Sequence, residues 1–217
     1  MEPRQVFLSG GTGYVGRALV SKLVERGHHV RVLARAGSEH KVPNRAEVVP
    51  GNPLDAATFS SAVSAADTFV QLTGVAHPAP WKEEAFRAID LVSLSASAAV
   101  AKSAGVSHFV YVSVAQPAPV MKAYIRVRQE CEAILKTTDL TTTILRPWYV
   151  LGPGHRWPAA LAPVYSLLEA IPATREGALR LGLVTLDQMV KALLWAVENP
   201  PNQPRILDVP AIRAISA

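Results

Sequence analysis

The sequence predicts an α/β fold built on a doubly wound parallel sheet with helices on both faces. Three observations predict it. Short, nearly continuous apolar runs alternate with helical patterns along most of the chain, as expected of strands covered on both sides. The first run, VFL at positions 6–8, stops at a glycine-rich turn. An amphipathic pattern then begins at Tyr14, with Val15, Leu19, Val20, Leu23 and Val24 on one side.

The remaining elements follow in order. Residues 29–34 read as a second strand and 47–50 as a short third, and 54–63 as a helix with Asp55 near its start. A fourth strand spans 68–72. The next helix opens around WKEE at 81–84, where acidic residues suit a first turn, and runs towards Ala104, where Gly105 closes it. Residues 108–112 are a fifth strand, 122–136 a helix and 141–145 a sixth strand. Right-handed crossovers give the order 3-2-1-4-5-6, with room for an additional strand, and place ligands at the carboxyl ends of the strands. Beyond Pro147 the chain turns proline-rich. Helices near 164–170 and 186–198 and a strand at 205–209 are expected there. Residues 1–147 thus form the core, and 148–217 a short closing region of the same globular unit.

The 217 residues are 49% hydrophobic and 18% charged, which supports one packed domain and excludes disorder. The net charge of +5 is scattered rather than gathered into a basic block, so a nucleic-acid partner is not indicated. No apolar stretch is long enough to span a bilayer, and the first residues lack a signal-peptide layout. The single cysteine, Cys131, excludes an internal disulfide framework, suits a reducing cytoplasm and is expected to pack inside a helix face. The six histidines show no metal-ligand spacing, so no metal site is expected.

The most specific signal is VFLSGGTGYVG at 6–16. Strand, glycine turn and helix form the unit that holds the pyrophosphate of a dinucleotide, here with GxxGxxG spacing. Gly10 serves the tight turn, Gly13 the close approach to phosphate and Gly16 the packing of helix on strand. Thr12, Tyr14 and Val15 complete the predicted phosphate-binding segment. The second strand ends in Leu33-Ala34-Arg35. An acidic residue there would bind the ribose hydroxyls of NAD, whereas Arg35, with Arg17 or Ser38, favours the 2′-phosphate of NADP and leaves NAD open.

The chain resembles the short-chain dehydrogenase/reductase superfamily, more narrowly its extended and atypical branches of epimerase/dehydratase-like and NAD(P)H-binding proteins. The matching pieces are SGGTGYVG, the VRVLAR end of strand two, GNPLD at 51–55, AGVSHFVYVS at 104–113 and TILRPWYVLGPG at 143–154. The resemblance implies a Rossmann fold. It implies that Asn52 and Leu54 lie near the adenine, although Asn52 stands where the family usually has Asp. It further implies that Leu72, Thr73 and Gly74 lie along the ribose, and that Pro147, Trp148 and Tyr149 sit beside the nicotinamide. By analogy alone it implies a homodimer through the helices after strands four and five.

In that family a Ser after strand five polarises the substrate, and a Tyr-x-x-x-Lys pair on the next helix moves the proton. Ser113 and Tyr124 match, but Arg128 occupies the lysine position. The i, i+4 spacing puts Tyr124 and Arg128 on one helix face. A free tyrosine titrates near ~10, so it needs a neighbouring cation to act as a base at neutral pH. Arginine supplies charge but is planar and trades no proton. Two readings stand. One is an NAD(P)(H)-dependent oxidoreductase moving hydride to or from a small carbonyl or quinone-like substrate. The other is a non-catalytic dinucleotide-binding sensor or assembly protein.

Overall fold

The computed structural model describes residues 2–153 and 171–215. The expected helix at 164–170 lies outside these residues. Strand β1 (Gln5–Ser9) leads through the glycine turn into α1 (Tyr14–Glu25), followed by β2 (His29–Ala34), β3 (Glu47–Pro50) and β4 (Thr68–Gln71). A single turn, α2 (Glu83–Ala85), runs into a π-helix (Phe86–Leu91) and then α3 (Val92–Ser103). Next come β5 (His108–Val112), α4 (Lys122–Lys136) and β6 (Thr141–Leu145). After them lie β7 (Tyr149–Leu151), α5 (Pro172–Arg180), β8 (Leu183–Thr185), α6 (Leu186–Glu198), β9 (Arg205–Leu207) and α7 (Val209–Ile215).

The main sheet has seven strands in the order β3-β2-β1-β4-β5-β6-β9, and every pairing is parallel. The predicted order therefore holds, with β9 as the additional strand. Strand alternation sorts the apolar side chains into two cores. Phe7, Phe69, Phe109 and Ile144 face α3 and α4, whereas Val6, Leu8, Val70 and Val110 face α1, α6 and α7. On the first face Phe69 lies 5.1 Å from Phe7 and 5.2 Å from Phe109, centroid to centroid. Each such buried ring contributes about 1.5–3 kcal/mol.

Three expectations change. Residues 54–63 form two short 3₁₀ turns, Ala56–Thr58 and Ser60–Val63, rather than one helix. Side chains compete with the backbone ladder here: Asp55 caps Ala57, Thr58 Oγ1 donates to the Asp55 carbonyl at 2.7 Å, and Phe59 leaves helical geometry at φ −139°. The helix expected from Trp81 to Ala104 is interrupted by the π-helix. The third change is the parallel pair β7–β8, which the sequence reading did not contain. Its strands have three residues each, too short to show a periodicity. Immediately after β8, a reciprocal capping box between Thr185 and Gln188 starts α6.

Candidate dinucleotide and catalytic site

The carboxyl ends of β1, β2, β4, β5 and β6 share one edge of the sheet, and the predicted site residues follow them. Gly10 has φ +85°, and a Cβ there would stand 2.6 Å from the Leu72 carbonyl carbon and 2.7 Å from the Thr73 nitrogen. A Cβ on Gly16 would collide with the Gly10 carbonyl oxygen. The Gly13 N–H donates to the Gly10 carbonyl at 3.1 Å, which closes the turn. Gly13 then caps α1 without any side-chain hydrogen bond, and it is exposed. The first-turn N–H groups and the positive end of the helix dipole are thereby left to an anion. A cradle that a Cβ would fill, under an uncapped helix start, fits a pyrophosphate. Thr12, Tyr14 and Val15 are half-buried around this turn.

Leu72, Thr73 and Gly74 leave β4 directly beside the turn. The Leu72 N–H donates to the Ser9 carbonyl at 2.9 Å, and the Ser9 and Thr73 hydroxyls are 2.5 Å apart. Arg35 is exposed just past β2, as is Arg17 on α1. Asn52 and Leu54 are exposed after β3. The Asn52 side chain accepts the Leu54 N–H at 3.1 Å, so its carboxamide oxygen shapes its own turn. Pro147 is buried and accepts the Ala115 N–H at 2.9 Å, while the Trp148 and Tyr149 rings meet edge to face at 5.6 Å.

The expected catalytic residues occupy two neighbouring polar clusters. Ser113 is buried, and its hydroxyl donates to Glu132 Oε1 at 2.6 Å. Glu132 also accepts from Gln116 at 2.9 Å and from two guanidinium nitrogens of Arg146. One helical turn back on α4, the Arg128 guanidinium is buried. It donates to the Tyr111 hydroxyl and the Val112 carbonyl, both at 2.9 Å, and forms an ion pair with Asp90. Its Cζ lies 5.0 Å from the centre of the Tyr124 ring and 5.6 Å from that of Tyr111. The Tyr124 ring also packs on Phe86, with 4.8 Å between ring centroids. Burial pushes the Tyr124 phenol above its ordinary value, and the Arg128 charge offsets part of that. Burial likewise raises the Asp90 carboxyl, against the pull of Arg128 and the Val75 N–H. Cys131 is buried in the core, as expected, with its thiol 3.9 Å from the Asp90 carbonyl.

Sequence reasoning missed several members of this constellation. Gly11 is required because a Cβ would stand 2.5 Å from Val32 Cγ1 and 2.9 Å from Leu8 Cδ2. The doubled glycine was the available signal. Asp90 and Glu132 were unassigned. The signal for Asp90 was a lone acid in the otherwise small and apolar stretch IDLVSLSASAAV. Among the described residues no group of three or more His, Cys, Asp or Glu side chains could hold a metal, and no helix is long and apolar enough to cross a membrane.

Comparison with known proteins bears on the family and the fold. The sequence model of a family described as NAD(P)H-binding matches residues 10–155. A 3-diazoavenalumate denitrifying reductase from a Streptomyces species is 28% identical over 222 residues, covering 90% of this chain and 72% of that protein. A ceramide reductase from Caulobacter vibrioides is 27% identical over 197 residues, covering 90% of this chain and 61% of that one. Among solved structures, the Bordetella bronchiseptica enzyme WbmH in complex with NAD+ superposes with a TM-score of 0.72 at 19% identity, over 95% of this chain and 76% of that one. A Thermus thermophilus UDP-glucose 4-epimerase complexed with NAD gives a TM-score of 0.70 at 16% identity, over 97% and 80%.

Proposed function

The chain belongs to the NAD(P)H-binding family, and from that premise we propose that it is an NADP(H)-preferring oxidoreductase of the epimerase/dehydratase-like kind. Its substrate in this reading is a small carbonyl or quinone-like compound. The observation that carries the reading is the glycine cradle under an uncapped α1, with Tyr124 and Arg128 at the same edge of the sheet. The names of the two reductase relatives support the redox class.

The cofactor, when bound, supplies or takes up the hydride. The chain's own residues do the rest. The first-turn N–H groups of α1, after Gly13, bind pyrophosphate, and Arg35 with Arg17 meets the 2′-phosphate. Asn52 and Leu54 border the adenine. Leu72, Thr73 and Gly74 line the ribose, and Pro147, Trp148 and Tyr149 wall the nicotinamide. Tyr124 moves the proton, and Ser113 orients the substrate oxygen. Residues 148–217 supply the substrate-facing part of the same unit. The single cysteine supports a cytoplasmic protein. A homodimer through α3 and α4 belongs to the same reading.

The test is in two steps. Reduced cofactors are titrated against the fluorescence of the four tryptophans, and NADPH oxidation is then screened against carbonyls and quinones with Tyr124→Phe as control. Binding of neither NADPH nor NADH ends the proposal. A specific observation keeps the non-catalytic reading alongside it: the Arg128 guanidinium is engaged by Asp90, Tyr111 and Val112 of the chain itself. Tight cofactor binding without turnover would select that reading.

A further inference from the structure

Asp90 has no part in the roles assigned above, yet it is 1% exposed, in the wall of the site. The π-helix at Phe86–Leu91 puts it there. A π turn widens the helix by one residue and leaves backbone groups in need of other partners. The Asp90 carbonyl accordingly accepts from the Ser93 hydroxyl at 3.2 Å. One carboxylate oxygen of Asp90 pairs with the Arg128 guanidinium, and the other accepts the Val75 N–H at 3.0 Å. A Cβ on Gly74 would stand 2.6 Å from Arg128 Nη2 and 3.0 Å from Asp90 Oδ1. The ion pair therefore lies directly against the Leu72–Gly74 loop. One carboxylate ties this loop to α4, the helix that carries Tyr124.

We propose that Asp90 is a positioning residue for this site. Its buried carboxylate clamps Arg128 against the Tyr124 ring and the Gly74–Val75 loop, so that Tyr124 offers the site a phenol rather than a phenolate. The charged and titratable groups around Tyr124 are Arg128 and Cys131 on its own helix and Asp90 on the π-helix. Tyr111 of β5 acts through its bond to Arg128. Arg128 alone would favour the phenolate. With Asp90 beside it the pair is neutral overall, and burial then favours the protonated ring. A tyrosine that keeps its Oη proton donates it. The consequence for catalysis rests on the proposed oxidoreductase reading, whereas the clamp itself does not.

The experiment is an ultraviolet difference titration of the tyrosines in the intact protein, with the Tyr124→Phe signal subtracted and circular dichroism as the check of fold. In the unaltered protein Tyr124 is expected to ionise above the ~10 of free tyrosine. Asp90→Asn keeps the shape but leaves Arg128 uncompensated, and is expected to lower that midpoint by about one pH unit or more. An Asp90→Asn protein that folds and titrates Tyr124 where the unaltered protein does overturns the proposal. Should Asp90→Asn not fold, Asp90→Asn/Arg128→Gln is neutral throughout and removes the clamp. It is expected to bind NADPH at least about fivefold more weakly, through loss of the charged tie to the loop. Unchanged affinity in that variant overturns the proposal as well. The titration needs neither cofactor nor substrate, and NADPH binding by the unaltered protein tests the oxidoreductase reading separately.

Discussion

The Ser113 hydroxyl donates to Glu132 at 2.6 Å, in a cluster that also joins Gln116 and Arg146. Glu132 is buried, and removing its carboxylate leaves Arg146 and Ser113 facing a cavity. Breaking a buried pair costs about 3–5 kcal/mol, less here because Arg146 is 22% exposed. We expect Glu132→Ala to cost about 2–3 kcal/mol, a fall in melting temperature of roughly 4–12 °C for a domain of this size. Ser113→Ala should cost about 1–2 kcal/mol. Thermal melts check both. A Ser113→Ala protein as stable as the parent would show that its bond to Glu132 contributes nothing and would leave Ser113 a purely chemical role.

Gly10 and Gly13 make opposite predictions although they share one turn. Alanine at Gly10 meets both a left-handed φ and the Leu72–Thr73 backbone at 2.6–2.7 Å, so the turn or β4 must shift. A loss of about 2 kcal/mol or more is expected in denaturant unfolding. A Cβ on Gly13 meets only the Gly10 oxygen, at 3.2 Å, and otherwise stands in open space at the mouth of the cradle. Gly13→Ala should therefore fold nearly as well as the parent and bind reduced cofactor at least about tenfold more weakly. Undiminished binding by Gly13→Ala would mean that phosphate does not approach this turn.

Arg35 is exposed just past the end of β2, where the proposed reading puts the 2′-phosphate. A charge-assisted contact to a 2′-phosphate contributes about 1.5–3 kcal/mol. Arg35→Ala should thus weaken NADPH by roughly ten- to a hundredfold while leaving NADH within about twofold. Tryptophan fluorescence titrations with each cofactor measure the ratio. Equal losses for both, or none for either, would remove Arg35 from cofactor selection.

Most of the sheet was legible in the sequence because β1 and β5 hold short apolar runs between turn residues, while β2 and β6 are rich in the β-branched residues that favour strands. The glycine cradle was legible because its residues are local, Gly10 to Gly16. Other parts depend on partners distant in sequence. Asp90 and Arg128 are separated by the helix α3 and the strand β5, and nothing local to Asp90 announces a guanidinium. The π-helix that presents it leaves no periodic trace in FRAIDL. The helix expected at 54–63 failed for a different reason: Asp55, Thr58 and Ser64 turn their side chains onto nearby backbone groups and cut the segment into single turns.

His108 supplies a pH dependence that can be checked without any ligand. It is fully buried at the start of β5, and its Nε2 lies 2.9 Å from the Thr143 hydroxyl, which also accepts from Arg205 at 3.2 Å. Burial, followed by the charges of Arg205 and Arg4, lowers its pKa from 6.5 to about 4. The unfolded chain takes up a proton near 6.5, whereas the folded chain resists until about 4. The neutral ring's stabilising contribution is therefore complete above pH 6.5 and is lost as the pH falls towards 4. At about 1.4 kcal/mol per unit, the full window amounts to roughly 3 kcal/mol, and a drop from pH 7 to 5 to about 2 kcal/mol. His108→Gln keeps an acceptor for Thr143 but cannot titrate. Urea unfolding of both proteins at pH 7 and pH 5 should show a smaller loss in the variant, by about 2 kcal/mol. Parallel losses would show that His108 is not the buried neutral group responsible.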